Sequence, residues 1–405
     1  MLTNVKNTTL MAALFCVVNL CYANTANAEQ SNDLATSDPV KFSFAFFGCN
    51  RLNKEGVEST HSDSTANIAQ LLQSFKDIAN SPVPPNYLFL AGDIVKGKKP
   101  GTKKLSKELA EWVKLVSDPN QNPLIQKNIP IVAFTGNHEI LVNQEDGKNC
   151  IYAQCPNPPA YLYWQDYMGK TNTFIFGKNG PVTNANGGKD DLLTDEKHLS
   201  YSFRSGDVFF IILNTDTQID AVTIGDIPLH WIKQQLKAAQ QDHNVNHIFI
   251  MGHKPLLSSD NNGSDTTGNG TIRSAEAEAF YALLKLNNPA GDNSSTSKVR
   301  IFLAAHTHEW NYMPKMTVGN ITGIVPQIIA GNGGSPPNSS WLNDDAYFGY
   351  TLVEITQSGV VTAKSFGRPF DTKEYYKQSP IEPATLRTTY TLHTPENNKQ
   401  VTLKH

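Results

Sequence analysis

Seven short apolar runs recur between residues 42 and 330: FSFAFF (42–47), YLFLA (87–91), IPIVAF (129–134), VFFIIL (208–213), HIFIM (247–251), RIFLA (300–304) and VPQIIA (325–330). They are rich in β-branched and aromatic residues and barely alternate with polar ones, the pattern of strands buried on both faces. Between them, Thr65 to Ala79 and Leu229 to Ala239 carry apolar residues at helical spacing. Strands interleaved with helices predict an α/β sandwich over a core of about 40–370. Residues 140–200, rich in Pro, Gly and Asn, read as an insertion over one face. Two Ser/Asn/Gly-rich stretches, 258–274 and 290–298, read as exposed loops, and the tail from about 370 to 405 as a C-terminal extension. No internal repeat is evident.

The first residues follow different rules. Lys6 precedes a mostly apolar run from Leu10 to Leu20, and Ala26-Asn27-Ala28 has the small-x-small form of a cleavage site. This predicts a secretory signal peptide over 1–28. The run is about half of the ~20 residues needed to span a bilayer. Neither Cys16 nor Cys21 follows a small residue, so no lipid or membrane anchor is expected. The domain of 29–405 is therefore expected to be secreted, in the periplasm, where disulfides persist. Cys150 and Cys155, close together in a Pro- and Asn-rich loop, are expected to pair, which leaves Cys49 as the odd thiol. Lys and Arg total 34 against 37 Asp and Glu, for a net charge of −3. That balance gives no general reason to bind nucleic acid or an anionic membrane. The Lys-rich KGKKPGTKKLSK (96–107) reads as solvated surface, with local anion steering as the alternative.

Chemistry gathers where the strands end. YLFLA is followed by Gly92-Asp93, IPIVAF by Thr135-Gly136-Asn137-His138-Glu139, HIFIM by Gly252-His253-Lys254-Pro255, RIFLA by Ala305-His306-Thr307-His308, and VPQIIA by Gly331-Asn332-Gly333-Gly334. Strand ends are where α/β proteins place their sites. Asp93, Asn137, His253, His306 and His308 supply a carboxylate, an amide and three imidazoles, all competent metal ligands. A carboxylate can bridge two ions, and two ions held close together can activate water and clamp phosphoryl oxygens. Each motif alone is weak evidence. Their order, each after an apolar strand, is the stronger signal.

The series GD…GNHE…GHKP…HTH resembles the calcineurin-like metallophosphoesterases over roughly residues 40 to 370. The resemblance implies a sandwich of two mixed β-sheets flanked by helices. It implies that Asp93 bridges two metals, that Asn137, His253 and His306 complete one site, and that His308 binds the other ion. His138 would be the general acid at the leaving group, and Glu139 would orient His138 or its loop, a plain helix-start carboxylate being the alternative. The first motif departs from the family pattern, Gly-Asp-x-His being replaced by Gly48-Cys49-Asn50-Arg51. One branch of secreted alkaline phosphatases and phosphodiesterases carries a cysteine there as an iron ligand, so Cys49 is read as a ligand. Arg51 has no lone pair to offer a metal but can clamp a phosphate oxygen in two places. Asn50 and His61 are the reserve ligands if the first site needs them.

The sequence thus predicts a secreted phosphoester hydrolase using two divalent or trivalent ions, with Fe, Zn or Mn favoured, or only one. A metal-bound hydroxide would attack phosphorus. The expected partner is a phosphorylated small molecule or other phosphoester, and the expected assembly is a monomer. A phosphomonoesterase is preferred over a phosphodiesterase. A non-catalytic protein that binds a metal or phospho-ligand through a degraded first site is the rival from another class.

Overall fold

The computed structural model describes residues 38–52, 67–143, 154–170, 177–220, 224, 227–258, 270–286, 298–323, 325–341, 346–370 and 381–395. The expected leader, His61, Cys150 and most of the two Ser/Asn/Gly-rich loops lie outside them. In chain order the strands are β1 (Val40–Phe47), β2 (Tyr87–Ala91), β3 (Ile131–Phe134), β4 (Leu141–Asn143), β5 (Gln154–Pro156), β6 (Tyr201–Ser205), β7 (Val208–Leu213) and β8 (His247–Gly252). They continue as β9 (Val299–Ala304), β10 (Trp310–Met313), β11 (Met316–Val318), β12 (Ile321–Gly323), β13 (Gln327–Ala330), β14 (Tyr347–Thr356), β15 (Val361–Pro369) and β16 (Thr385–His393). The helices are α1 (Ile68–Ala79), α2 (Lys103–Ser117), α3 (Asn137–Ile140), α4 (Pro158–Lys170), α5 (Leu229–Gln241) and α6 (Ser274–Leu286).

Two six-stranded sheets result, in the orders β16-β15-β14-β1-β2-β3 and β10-β13-β9-β8-β7-β6. In the first, β1, β2 and β3 run parallel and β14 to β16 add on antiparallel. In the second, β7, β8, β9 and β13 are parallel, with antiparallel β6 and β10 at the edges. This is the expected sandwich of mixed sheets.

The weak alternation of the apolar runs has a direct cause. On β1, Phe44 and Phe46 face the second sheet, packing with Phe89, Phe134, Phe210, Phe249, Met251 and Leu303. The Phe44 ring meets Phe210 and Phe249 edge-on at 5.4 and 5.0 Å, a favoured aromatic geometry. Ala45 and Phe47 point the other way, into a layer with Leu71 and Phe75 of α1, Leu109 and Trp112 of α2 and Trp164 of α4. On the outer face of the second sheet, Ile211, Leu213 and Ile250 pack with Trp231, Ile232, Phe280 and Tyr281 of α5 and α6. Each central strand therefore has apolar neighbours on both sides.

Helix α1 starts where the Asn67 side chain accepts a hydrogen bond from Gln70 N at 3.2 Å, slightly later than periodicity alone suggests. The 140–200 stretch contains the β4–β5 hairpin and α4. Within the tail, Thr385–His393 forms the edge strand of the first sheet. No helix among the described residues is long and apolar enough to cross a membrane.

Candidate metal centre

The C-terminal ends of β1, β2, β3, β8 and β9 lead directly into Cys49, Asp93, Asn137, His253 and His306. Both sheets thus contribute to one rim. The loops interlock through backbone bonds: Cys49 N donates to Gly92 O (3.1 Å), Asn50 N to Asp93 O (3.0 Å), and Ser335 N to Cys49 O (2.9 Å). Close approach requires glycine here. A Cβ at Gly92, whose φ is +75°, would lie 2.4 Å from Gly136 N, and one at Gly136 would lie 2.4 Å from Asp93 Oδ1. Cys49, Arg51, Asp93 and His306 have φ of 61°, 45°, 53° and 65°, a left-handed backbone that is sterically costly for residues with a side chain.

Two ligand groups share one carboxylate. Cys49, Asp93 and His308 form one, and Asp93, His253 and His306 the other; in each, candidate ligand atoms lie within 4.8 Å of one another. Asp93, Cys49 and His253 are buried, whereas His306 and His308 are half-buried. In the second group, His253 Nε2 is 3.1 Å from Asp93 Oδ1 and 3.0 Å from His306 Nδ1. The tautomers follow from the carbonyls. His253 Nδ1 donates to Ala91 O (2.6 Å) and His308 Nδ1 to Pro336 O (2.6 Å), since a carbonyl only accepts. Their Nε2 lone pairs are left for a metal.

The Asn137 amide turns one of its two polar atoms into the second group, 3.2 Å from His253 Nε2, 3.0 Å from Asp93 Oδ1 and 3.3 Å from His306 Nδ1; with oxygen in that place it would be a further ligand. The Asp93 carboxylate, the two ring nitrogens and an amide oxygen at this position are together a donor set that could hold one cation. The first group is also suited to one. Burial, reinforced by the Asp93 charge, pushes the Cys49 thiol well above its usual 9.0, so a metal is what would make it a thiolate. Burial works in the same direction on Asp93, but His138 and His253 overcome it and hold the carboxyl well below the usual range.

Around the ligands stand the other expected residues. His138 Nδ1 donates to Lys96 O (2.5 Å), and its Nε2 lies 3.8 Å from Asp93 Oδ2 and 3.2 Å from Arg51 Nη1. Arg51 is anchored by Nε donating to Ser335 Oγ (2.9 Å), and Nη2 reaches 3.3 Å from His308 Nδ1. Glu139 accepts from Asp93 N (3.0 Å) and Gly136 N (2.7 Å) through Oε2 and from Val95 N (3.0 Å) through Oε1, so it ties two ligand loops together. Asn50 is buried, and its amide, which has no hydrogen-bond partner among the described residues, lies beside Gly334.

Two site residues were not evident from sequence. Lys98, within the supposedly solvated lysine run, is partly buried beside Asn137, and burial pulls its pKa from 10.5 to about 8. Gln154, in the insertion, accepts from Asn137 Nδ2 at 2.9 Å. Neither belongs to a recognisable motif; the only available signal is that Lys98 stands soon after Asp93.

A family model described as calcineurin-like phosphoesterase matches residues 42–310. Among solved structures, a purple acid phosphatase isolated from yellow lupin (Lupinus luteus) seeds superposes with a TM-score of 0.50 and 14% identity, over 88% of this chain and 54% of that one. The chain thus spans about half the length of that protein. PhoD superposes with a TM-score of 0.51 and 13% identity, over 88% of this chain and 71% of the other. At these identities the likeness is one of fold. No curated protein matches the chain in sequence. With well over half of its length matched, the chain belongs to the calcineurin-like phosphoesterase family.

Proposed function

We propose that the protein is an exported phosphoester hydrolase with a two-metal centre, acting on phosphomonoesters in preference to diesters. The observation that carries this reading is the sharing of Asp93 between the Cys49/His308 and His253/His306 groups. Cys49, Asp93 and His308 would hold one ion, and Asp93, Asn137, His253 and His306 the other. Fe, Zn or Mn bound there would supply Lewis acidity toward phosphoryl oxygens and an activated water. Export is supported by the leader-like sequence of residues 1–28 and by Cys155, which is not a free thiol; Cys150 is its proposed partner.

The chain's own residues then have defined tasks. Arg51, fixed by Ser335, presents its guanidinium between His138 and His308, where it can pair with a non-bridging phosphoryl oxygen. His138 uses Nδ1 to hold its ring on Lys96 O, which leaves Nε2 to carry a proton to the leaving oxygen. Burial first, and Lys98 and Arg51 after it, depress the His138 pKa well below 6.5, against the pull of Asp93. A phosphoryl anion beside Arg51 would offset part of that field and favour the protonated ring.

The test is His138→Ala, assayed on an aryl phosphate with metal content measured alongside. Turnover should fall by about 10²–10⁴ with the metal-to-protein ratio unchanged. Full turnover with full metal would remove His138 from the mechanism, and an absence of hydrolysis in the wild type would favour a binding protein.

A further inference from the structure

The Asn137 amide has two environments at hydrogen-bond distance, and they make opposite demands. Its inner position is 3.0 Å from Asp93 Oδ1, 3.2 Å from His253 Nε2 and 3.3 Å from His306 Nδ1. Its outer position is 3.0 Å from Lys98 Nζ, 2.9 Å from Gln154 Oε1 and 3.1 Å from Gln154 Nε2. With oxygen inward, it faces the Asp93 carboxylate and two ring nitrogens, a set that a bound cation would reconcile, while the outward NH2 donates to Gln154 Oε1. With oxygen outward, the NH2 donates to Asp93, and the oxygen accepts from Lys98 Nζ and Gln154 Nε2. The inner contact to Asp93 is then satisfied without a metal, whereas Gln154 Oε1, 2.9 Å from the outward oxygen, has to turn away so that the Gln154 NH2 faces it.

We propose that Lys98 and Gln154 are positioning residues that set which way the Asn137 amide faces, and thereby how tightly the Asp93/His253/His306 group holds its cation. Lys98 competes with the metal for the Asn137 oxygen; Gln154, which can donate or accept, serves either orientation. Both are placed for this role. Lys98 N donates to His138 O (3.0 Å), the preceding Gly97 N donates to Glu108 Oε2 of α2 (2.7 Å), and Lys98 adopts a left-handed φ of 52°. Gln154 pairs with Asn143 across the β4–β5 hairpin, which continues directly from the α3 turn bearing Asn137. The insertion therefore reaches the metal centre through one buried amide.

This inference rests on the reading of Asn137 as a ligand, and a mutant cycle separates the two. The full chain, stripped of metal with chelator, is titrated with Zn²⁺ by calorimetry as wild type, Asn137→Ala, Lys98→Met and both together. Lys98→Met should tighten the site at least about tenfold, the value of one charge-assisted hydrogen bond. In the Asn137→Ala background that gain should shrink to less than about twofold. Equal gains in both backgrounds would mean that Lys98 acts only as a nearby charge, which overturns the inference but leaves the ligand reading intact. Unchanged Zn²⁺ affinity in Asn137→Ala would overturn the ligand reading itself. Gln154→Glu provides a second route: a carboxylate can only accept, so it should favour the inward oxygen and tighten Zn²⁺ binding in the wild-type background more than in Asn137→Ala. As a direct readout, the Asn137 side-chain NH2 resonances should move on Zn²⁺ loading in the wild type, and a metal-insensitive signal would refute the reorientation.

Discussion

Replacing Glu196 by Gln should make the protein's stability less sensitive to alkaline pH. Glu196 is fully buried; its carboxyl oxygens accept from Asn214 Nδ2 at 3.1 and 3.3 Å and from Ser200 Oγ at 3.3 Å. No cation is among these partners. Burial therefore wins over the Asn214 and Ser200 hydrogen bonds, and the pKa rises from 4.5 to about 8. A carboxyl with a raised folded-state pKa contributes its full stability below the unfolded value and loses it as pH climbs through the folded value. The window is consequently pH 4.5 to about 8. A change from 4.5 to about 8, at about 1.4 kcal/mol per pH unit, amounts to roughly 5 kcal/mol. Gln keeps one acceptor for Asn214 and cannot ionise, so the variant should lack this decline. Urea unfolding of both proteins in chelator, at intervals from pH 4.5 to 9, isolates the effect as the difference between two curves. If the two profiles ran parallel to within about 1 kcal/mol, the reasoning about burial would be wrong.

Other outcomes follow from the same structure. Cys49→Ala should lower the metal-to-protein ratio from two to one by mass spectrometry of the purified chain; a ratio unchanged at two would make Cys49 a packed thiol. Arg368→Met should cost about 1.5–3 kcal/mol in urea unfolding, because it removes the charged partner that meets the half-buried Asp77 carboxylate at 2.5 Å and leaves Asp77 only its bonds from Gln73 Nε2 and Ala384 N. Adding Asp77→Asn should recover part of that loss, and no recovery would mean that the pair is not the source of the cost.

How much of this was written in the sequence depends on what each residue faces. The seven apolar runs mark their strands to within two residues because helices cover one face of the central strands and the partner sheet covers the other. β16 escaped notice for the converse reason: TLRTTYTLH lies at a sheet edge, mostly exposed or half-exposed, and has no apolar run to show. The candidate ligands stood out because each lies in a turn that follows a strand. Glu139 could be placed at the site but not in its role, since its partners are backbone N–H groups of other loops. Lys98 and Gln154 were hidden more deeply. A lysine inside a run of lysines looks solvated, and only the fold of the 96–98 turn against His138 brings this one to the centre.

The left-handed backbone at Cys49, Arg51, Asp93 and His306 has a consequence for how the chain can change. At these four positions glycine would relieve steric strain and could make the folded protein more stable. Each such replacement would also delete a side chain of the centre. Selection for thermal stability alone should therefore erode this site first, drifting toward glycine at the rim while the sandwich beneath it stays intact. Retention of all four side chains in a stabilised library would have to come from selection on chemistry.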